Sequence, residues 1–176
     1  MNPSAFSFNM KNVDEIITTT LIEAYSLIFD MYEEAIDKIP ENQWISGEIE
    51  YLTPVRLILH STEAVDYYST DTPTGHIWEK RFNLDPEARD IPTEDLPSKQ
   101  NMLEYHNEVR SKIEDWLTNL SMDDLLKSEE KFPWTGSTLL GRIMYILAHH
   151  RQHFGELNAE LRRRKLQRIK WRIKKT

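Results

Sequence analysis

The chain has 176 residues, a formal net charge of −7 and no cysteine. This length predicts one domain, and the missing cysteine excludes disulfides, cysteine-based zinc sites and a cysteine nucleophile. With 39% hydrophobic and 29% charged residues, the composition is typical of a globular protein. No run of residues approaches the roughly 18 apolar residues of a membrane span, and residues 1–10 do not resemble a signal peptide. We therefore expect a cytoplasmic protein without a membrane segment.

The first two predicted elements are helices with regularly spaced apolar residues. One covers residues 12–39 and the other covers residues 52–68. Thr53 and Pro54 fit an N-cap followed by the first helical residue of the second helix. A helix that begins near Ser46 and bends at Pro54 fits the same residues, so the start of this helix stays open at this point.

A long connection, residues 69–97, follows the second helix and contains Pro73, Pro86, Pro92 and Pro97. Connections of this length inside a compact domain are often lids or binding loops. Its two large aromatic residues would then cover a pocket, or they would only anchor the loop to the core; these residues are Trp78 and Phe82.

Two more long helices are predicted after this connection. The third begins at Ser98, and Ser121 with Asp124 then has the spacing of a capping arrangement for a short helical turn. The last long helix begins near Ser137 and runs towards the C-terminus. Strand signals are nearly absent. Four long helices with a long connection between the second and third predict an all-α four-helix bundle.

The predicted bundle occupies residues 1–165, and a basic tail occupies residues 166–176. Residues 161–176 hold nine Lys or Arg and no acid, which leaves 13 basic and 29 acidic groups in the first 160 residues. Such a tail favours contact with nucleic acid or an acidic membrane. It is equally the pattern of a solvated helix end, or of a segment that lies on an acidic face of its own body or of a partner subunit. Its one aromatic residue, Trp171, gives little support for base stacking.

Three of the six histidines are candidates for metal binding, two of them because of their spacing. His149 and His153 are four residues apart on the last helix, so their imidazoles lie on one face, one turn apart. This is a common helical arrangement for gripping a metal ion. His60 lies mid-helix among apolar residues, where an imidazole needs either a metal or a hydrogen-bond partner such as a carboxylate or a carbonyl.

These stretches resemble the DinB-like (YfiT-like) superfamily. The matching residues are Leu57–His60 (LILH) and His149–Leu157 (HHRQHFGEL), and the helical layout is similar over roughly residues 10–165. The resemblance implies a four-helix bundle with a divalent metal ion, usually zinc or nickel, held by His60, His149 and His153. Members with known chemistry are thiol-dependent S-transferases and isomerases that use low-molecular-weight thiols, so the substrate implied here is a small molecule, such as a thiol.

Two carboxylates have the spacing of helpers to this chemistry. Glu63 lies three residues after His60, and Glu156 lies three residues after His153. Each would act as a general base or would fix the tautomer of an imidazole, unless it is simply a solvated surface carboxylate. Three neutral imidazoles leave the full +2 charge on the ion, and an open fourth position would bind water or a substrate thiolate.

We interpret the other three histidines and Gly155 as residues outside the metal site. His150 must point roughly 100° away from its neighbour on the helix, so it is interpreted as flanking the site. His76 and His106 have no partner at a useful spacing. Gly155 is interpreted as a position of close helix packing.

Three functions therefore compete. The first is a metal-dependent enzyme, a thiol S-transferase or a hydrolase. The second is a non-enzymatic stress-related bundle, for example a dimer, whose metal site is structural or vestigial; long apolar helix faces would suit a homodimer. The third is a nucleic-acid contact through the tail, which the acidic body disfavours.

Overall fold

The structure is a computed structural model that describes residues 10–49, 52–70, 80–82 and 92–173. Six α-helices lie in this part of the chain, and three single 3₁₀ turns connect them, at Lys80–Phe82, Thr93–Asp95 and Pro133–Thr135. The helices are α1 (Met10–Lys38), α2 (Glu41–Trp44), α3 (Pro54–Tyr68), α4 (Lys99–Thr118), α5 (Met122–Leu125) and α6 (Leu139–Arg163). Among the described residues there is no β-strand, only one isolated bridge. The predicted all-α class is confirmed for these residues.

The four long helices enclose the apolar core. α1 packs along α4 and also meets α6, while α3 packs against both α4 and α6. Each long helix therefore contacts two others. Burying one large apolar side chain stabilises a fold by about 1.5–3 kcal/mol, and each of the four helices contributes several. Examples are Tyr25, Ile28, Tyr32, Ile58, Val65, Met102, Val109, Ile113, Ile143 and Leu157.

The structure decides where the second long helix begins. α3 starts at Pro54, with Thr53 at the N-cap position, as the first of the two alternatives requires. The start near Ser46 is wrong, because residues 45–49 are not helical. Proline suits the first helical position because its missing N–H would have no partner there.

Three further helices, α4, α5 and α6, start with a side-chain cap. The Ser98 hydroxyl accepts a hydrogen bond from the backbone N–H of Asn101 at the start of α4. Ser121 and Asp124 form a complete capping box at α5. The last long helix begins two residues after the predicted Ser137, and Thr138 caps it. Each cap satisfies an N–H group that the helix itself leaves unpaired.

The long connection is only partly described. Trp78 and His76 lie outside the described residues. Phe82 packs against the core and meets the ring of Tyr105 edge-on, with centroids 5.6 Å apart. Of the two alternatives for Phe82, the structure therefore favours the one in which it anchors the connection to the core.

α6 ends in a tight turn that reverses the chain. Lys165 has a positive φ of 59°, a conformation that is costly for a residue with a side chain. The N–H of Leu166 donates to the carbonyl of Leu161, and the N–H of Lys165 donates to the carbonyl of Arg162. This bonding pattern is that of a Schellman motif, which satisfies carbonyls at a helix end.

The tail then lies on its own body. The amide side chain of Asn158 donates to the carbonyl of Ile169 and accepts from its N–H, at 3.0 and 2.8 Å. The Ile169 side chain is 2% exposed and joins the core. Arg172 forms ion pairs with Asp30 and Glu34 of α1. Of the alternatives for the tail, the structure favours packing against an acidic face of the same chain.

Within the described ranges, no helix has both the length and the apolar character needed to cross a membrane.

Candidate metal centre

Three histidines that are distant in sequence meet where α3 packs against α6. His60 comes from the middle of α3, and His149 and His153 come from successive turns of α6. One ring nitrogen of each lies within 4.8 Å of the others. The ring centroid of His60 is 5.3 Å from that of His149 and 4.8 Å from that of His153. All three metal ligands proposed from the sequence therefore come together in space.

The two imidazoles on α6 already have the spacing of ligands to one ion. Their Nε2 atoms are 3.1 Å apart. Tetrahedral zinc with Zn–N bonds of 2.0–2.1 Å places two ligand nitrogens about 3.3 Å apart. The His149–His153 pair would therefore need little movement to bind a metal ion of this size.

Glu156 sets the protonation of His153. Its Oε2 atom lies 2.7 Å from Nδ1 of His153. Burial raises the pKa of Glu156, but hydrogen bonds from His153 and Gln152 outweigh this effect and hold the pKa below its usual value. An ionised carboxylate only accepts hydrogen bonds, so Nδ1 of His153 carries the proton. Its Nε2 lone pair then faces the cluster, as metal binding requires.

Desolvation favours the neutral form of the other two imidazoles. Burial, with further contributions from His153 and His60, lowers the pKa of His149 to about 4. Partial desolvation by the surrounding groups and the nearby His153 lower the pKa of His60. Neutral imidazole is the form that binds metal ions. The Nδ1 atom of His149 is buried and has no hydrogen-bond partner among the described residues.

One side of the cluster is open and lined by aromatic rings. His60 is exposed, whereas His149 and His153 are half-buried. Tyr145 lies one turn before His149 and stacks on it with centroids 6.2 Å apart, and Tyr68 meets Tyr145 edge-on. Aromatic rings therefore adjoin the cluster at His149.

The structure does not bring Glu63 into the group of ligand atoms. Its side chain is 3% exposed, so the alternative of a solvated surface carboxylate is wrong for this residue. Burial raises the pKa of Tyr105 on α4, and the charges of Asp66 and Glu63 raise it further. Glu63 therefore acts electrostatically on α4, while Glu156 is the carboxylate in contact with the cluster.

Two further histidines form a buried group that the sequence analysis did not identify. His150 is fully buried, with Nδ1 2.6 Å from the hydroxyl of Ser61, and its ring stacks on Tyr32. His106 is also fully buried, with Nδ1 3.1 Å from the hydroxyl of Thr62. Ser61 and Thr62 directly follow His60, and this run of polar residues in an apolar helix was the available signal.

Gly155 does not have the role expected for it. A side chain there would meet no atom within 4 Å, apart from its own helix backbone and chain neighbours. The interpretation as a position of close helix packing is therefore wrong.

Comparison of the chain with protein-family models, curated proteins and solved structures gives no match. In the part of the chain that the structure describes, the protein is therefore all-helical, and three of its histidines are able to hold a metal ion.

Proposed function

We propose that the chain is a four-helix bundle of the DinB-like type that binds one divalent metal ion, zinc or nickel. The ligands are His60, His149 and His153. The observation that carries the proposal is the convergence of these imidazoles from two packed helices, with ligand atoms within 4.8 Å of one another. The arrangement of the long helices, each in contact with two others, supports the bundle type.

The activity we propose is thiol S-transfer or hydrolysis on a small-molecule substrate, such as a low-molecular-weight thiol. A divalent ion with three neutral ligands supplies Lewis acidity and an open position for water or a thiolate. The open side of the cluster beside His60 supports access by a small molecule.

The chain's own residues contribute orientation. α3 and α6 hold the imidazoles on rigid elements, which suits a preorganised site. The Glu156 carboxylate holds His153 in the tautomer whose lone pair faces the cluster. The rings of Tyr145 and Tyr68 provide a wall against which the apolar part of a substrate packs.

The direct test is the metal content per chain, measured by elemental mass spectrometry on protein made without a histidine tag and incubated with zinc or nickel. We expect about one ion per chain for the native protein, as one three-histidine site holds one ion. His149→Ala should lose it. Met144→Ala is the matched control, because Met144 lies on the same helix and is 49% exposed.

Two results would contradict the proposed site: a native protein without stoichiometric metal, or a His149→Ala protein that retains it. Screens for thiol transfer and hydrolysis then compare the loaded native protein with His149→Ala. A loaded protein inactive in both screens, with a melting temperature that falls on chelation, would replace the enzyme with the non-enzymatic bundle whose metal is structural.

A further inference from the structure

A second site candidate lies between α6 and the returning C-terminal segment. This cavity, here called the basic cavity, has a volume of about 340 Å³, and four of the nine described residues that line it are cationic. None of these nine residues is acidic. The cations are Arg151, Arg162, Arg168 and Lys170, and Trp171 forms part of the wall. Its volume falls in the range of small-molecule sites.

The cavity is built by specific contacts. The Schellman turn at Lys165 reverses the chain, and the two hydrogen bonds between Asn158 and the backbone of Ile169 hold the returning segment against α6. The buried Ile169 side chain anchors the segment in the core. The basic wall is therefore held in place at both of its ends.

The cations of the cavity differ from their neighbours in having no acidic partner. Arg163 and Arg164 pair with Glu160, and Arg172 pairs with Asp30 and Glu34. Among the described residues, no carboxylate pairs with the four cations of the cavity. Positive charges held together without a counter-charge repel one another, and a bound anion would remove this cost.

One N–H donor of Arg151 lacks a hydrogen-bond acceptor in the described part of the chain. This donor is the Nε atom, which is buried. The guanidinium lies over the ring of Trp171, with Cζ 5.5 Å from the centroid. This cation–π contact orients the guanidinium but does not satisfy its N–H donors.

The basic cavity is separate from the three-histidine cluster. Residue 151 lies two positions after His149, about 200° around the helix, so it faces away from α3. Residues 151, 155, 158 and 162 follow each other at helical spacing, and all four line the cavity. The two sites therefore occupy opposite faces of α6.

We propose that the basic cavity binds a small phosphate-bearing anion. Guanidinium groups match phosphate oxygens with paired, charge-assisted hydrogen bonds, and the indole of Trp171 offers a flat face to a ring carried by the phosphate. Inorganic pyrophosphate and a nucleoside diphosphate share this chemistry. A concave site beside an acidic α1 surface, already occupied by Arg172, suits a compact anion better than an extended polyanion.

The test is titration calorimetry of the full chain at low salt with two probes, inorganic pyrophosphate and adenosine diphosphate. We expect binding that Arg168→Ala/Lys170→Ala weakens by about tenfold or more, because two charge-assisted contacts are lost. The matched control is Lys127→Ala/Lys131→Ala, which also removes two positive charges. These lysines precede α6, whereas the cavity lies along its second half. The control should bind as the native chain does.

Asn158→Ala separates a built cavity from general attraction to positive charge. It keeps all four cations and removes the two hydrogen bonds that hold the returning segment. We expect a loss of binding comparable to that of the double variant, with an unchanged helical circular dichroism spectrum. Tighter binding of adenosine diphosphate than of pyrophosphate would show that the indole of Trp171 contacts the ring of the ligand. Equal binding would show that the cavity recognises the phosphates alone.

Three outcomes would overturn the proposal. The first is no binding of either probe. The second is equal binding by the native chain and either the double variant or Asn158→Ala. The third is a single-stranded oligonucleotide that binds while the two small probes do not, which would establish a nucleic-acid contact in place of a small-anion site.

Discussion

Two groups of histidines lie side by side in this molecule and have opposite chemistry. His149 and His153 meet His60 at an open edge of the helices, and their ring nitrogens face one another. His150 and His106 are fully buried, and each has a core hydroxyl beside its Nδ1 atom, from Ser61 and Thr62. Both groups consist of histidines, and His149 and His150 are direct neighbours on α6.

The difference lies in what faces each imidazole. A hydroxyl both donates and accepts hydrogen bonds, so it satisfies one nitrogen of a neutral ring without a metal. In the open group, Glu156 holds the proton of His153 on Nδ1, so that Nε2 of His153 faces the neighbouring imidazoles. We therefore expect the open group to bind metal and the buried group to stabilise the fold.

The largest expected difference is between two variants of α6, His153→Ala and His150→Ala. Both remove an imidazole, and the two positions are three residues apart on the helix. His153→Ala should abolish stoichiometric metal binding, because the ion loses one of three ligands and the one oriented by Glu156. Metal content and the helical spectrum of each variant are the measurements. Stoichiometric metal in His153→Ala would break the assignment of the open group.

The second effect is on stability. His150→Ala should lower the free energy of unfolding of the metal-free protein by about 3 kcal/mol, because it leaves a cavity and removes one of the two hydrogen bonds of the Ser61 hydroxyl. It should retain the metal. Urea denaturation of both variants checks this, and a larger loss in His153→Ala than in His150→Ala would reverse the comparison.

The third effect concerns pH. Burial and, to a smaller extent, the charge of Arg110 lower the pKa of His106 to about 3, although a hydrogen bond to the Phe29 carbonyl opposes them. Because the folded pKa lies below the unfolded one, the unfolded state gains a proton first as the pH falls, and stability is lost. From pH 7.5 to pH 5 the loss due to this residue is about 2 kcal/mol. Burial also lowers the pKa of the neighbouring His150, which adds to the same trend.

The measurement is urea denaturation of the metal-free native protein and of His106→Gln at both pH values. The variant should lose about 2 kcal/mol less than the native protein over this interval, because Gln does not titrate. Identical losses in the two proteins would show that His106 is not held neutral by burial.

The smallest effect concerns the metal affinity. Glu156→Ala should weaken binding by about 10- to 100-fold, because the carboxylate no longer fixes the tautomer of His153. Gln152→Ala is the control, since it removes only the 3.3 Å hydrogen bond to Glu156. A competition titration with a chelating dye measures both, and equal affinities would remove Glu156 from the site.

Much of the helical layout was predictable because it depends on local chemistry. Examples are the caps at Ser98 and Ser121 and the proline at the start of α3. Each depends only on residues a few positions away in the sequence. The surroundings of Gly155 were not predictable in this way. Its helical position is evident from the sequence, but its place in the wall of the basic cavity depends on where the tail returns.

The candidate site shows the same division. That His149 and His153 share a face follows from the 3.6-residue helical repeat alone. That His60 faces them, and that Glu63 does not join them, depends on how α3 is rotated against α6. This rotation is set by the whole apolar core, because side-chain packing between helices decides which residues meet.

The sequence by itself determined the four long helices, the caps at Ser98 and Ser121, the shared face of two histidines and the basic charge of the tail. Each of these depends on residues within about one turn of one another. The tertiary structure alone decided the closure of the three-histidine cluster, the burial of His150 and His106, and the return of Ile169 that forms the basic cavity. Each of these joins segments far apart in the chain, and their contacts are set by the free energy of packing rather than by any local pattern.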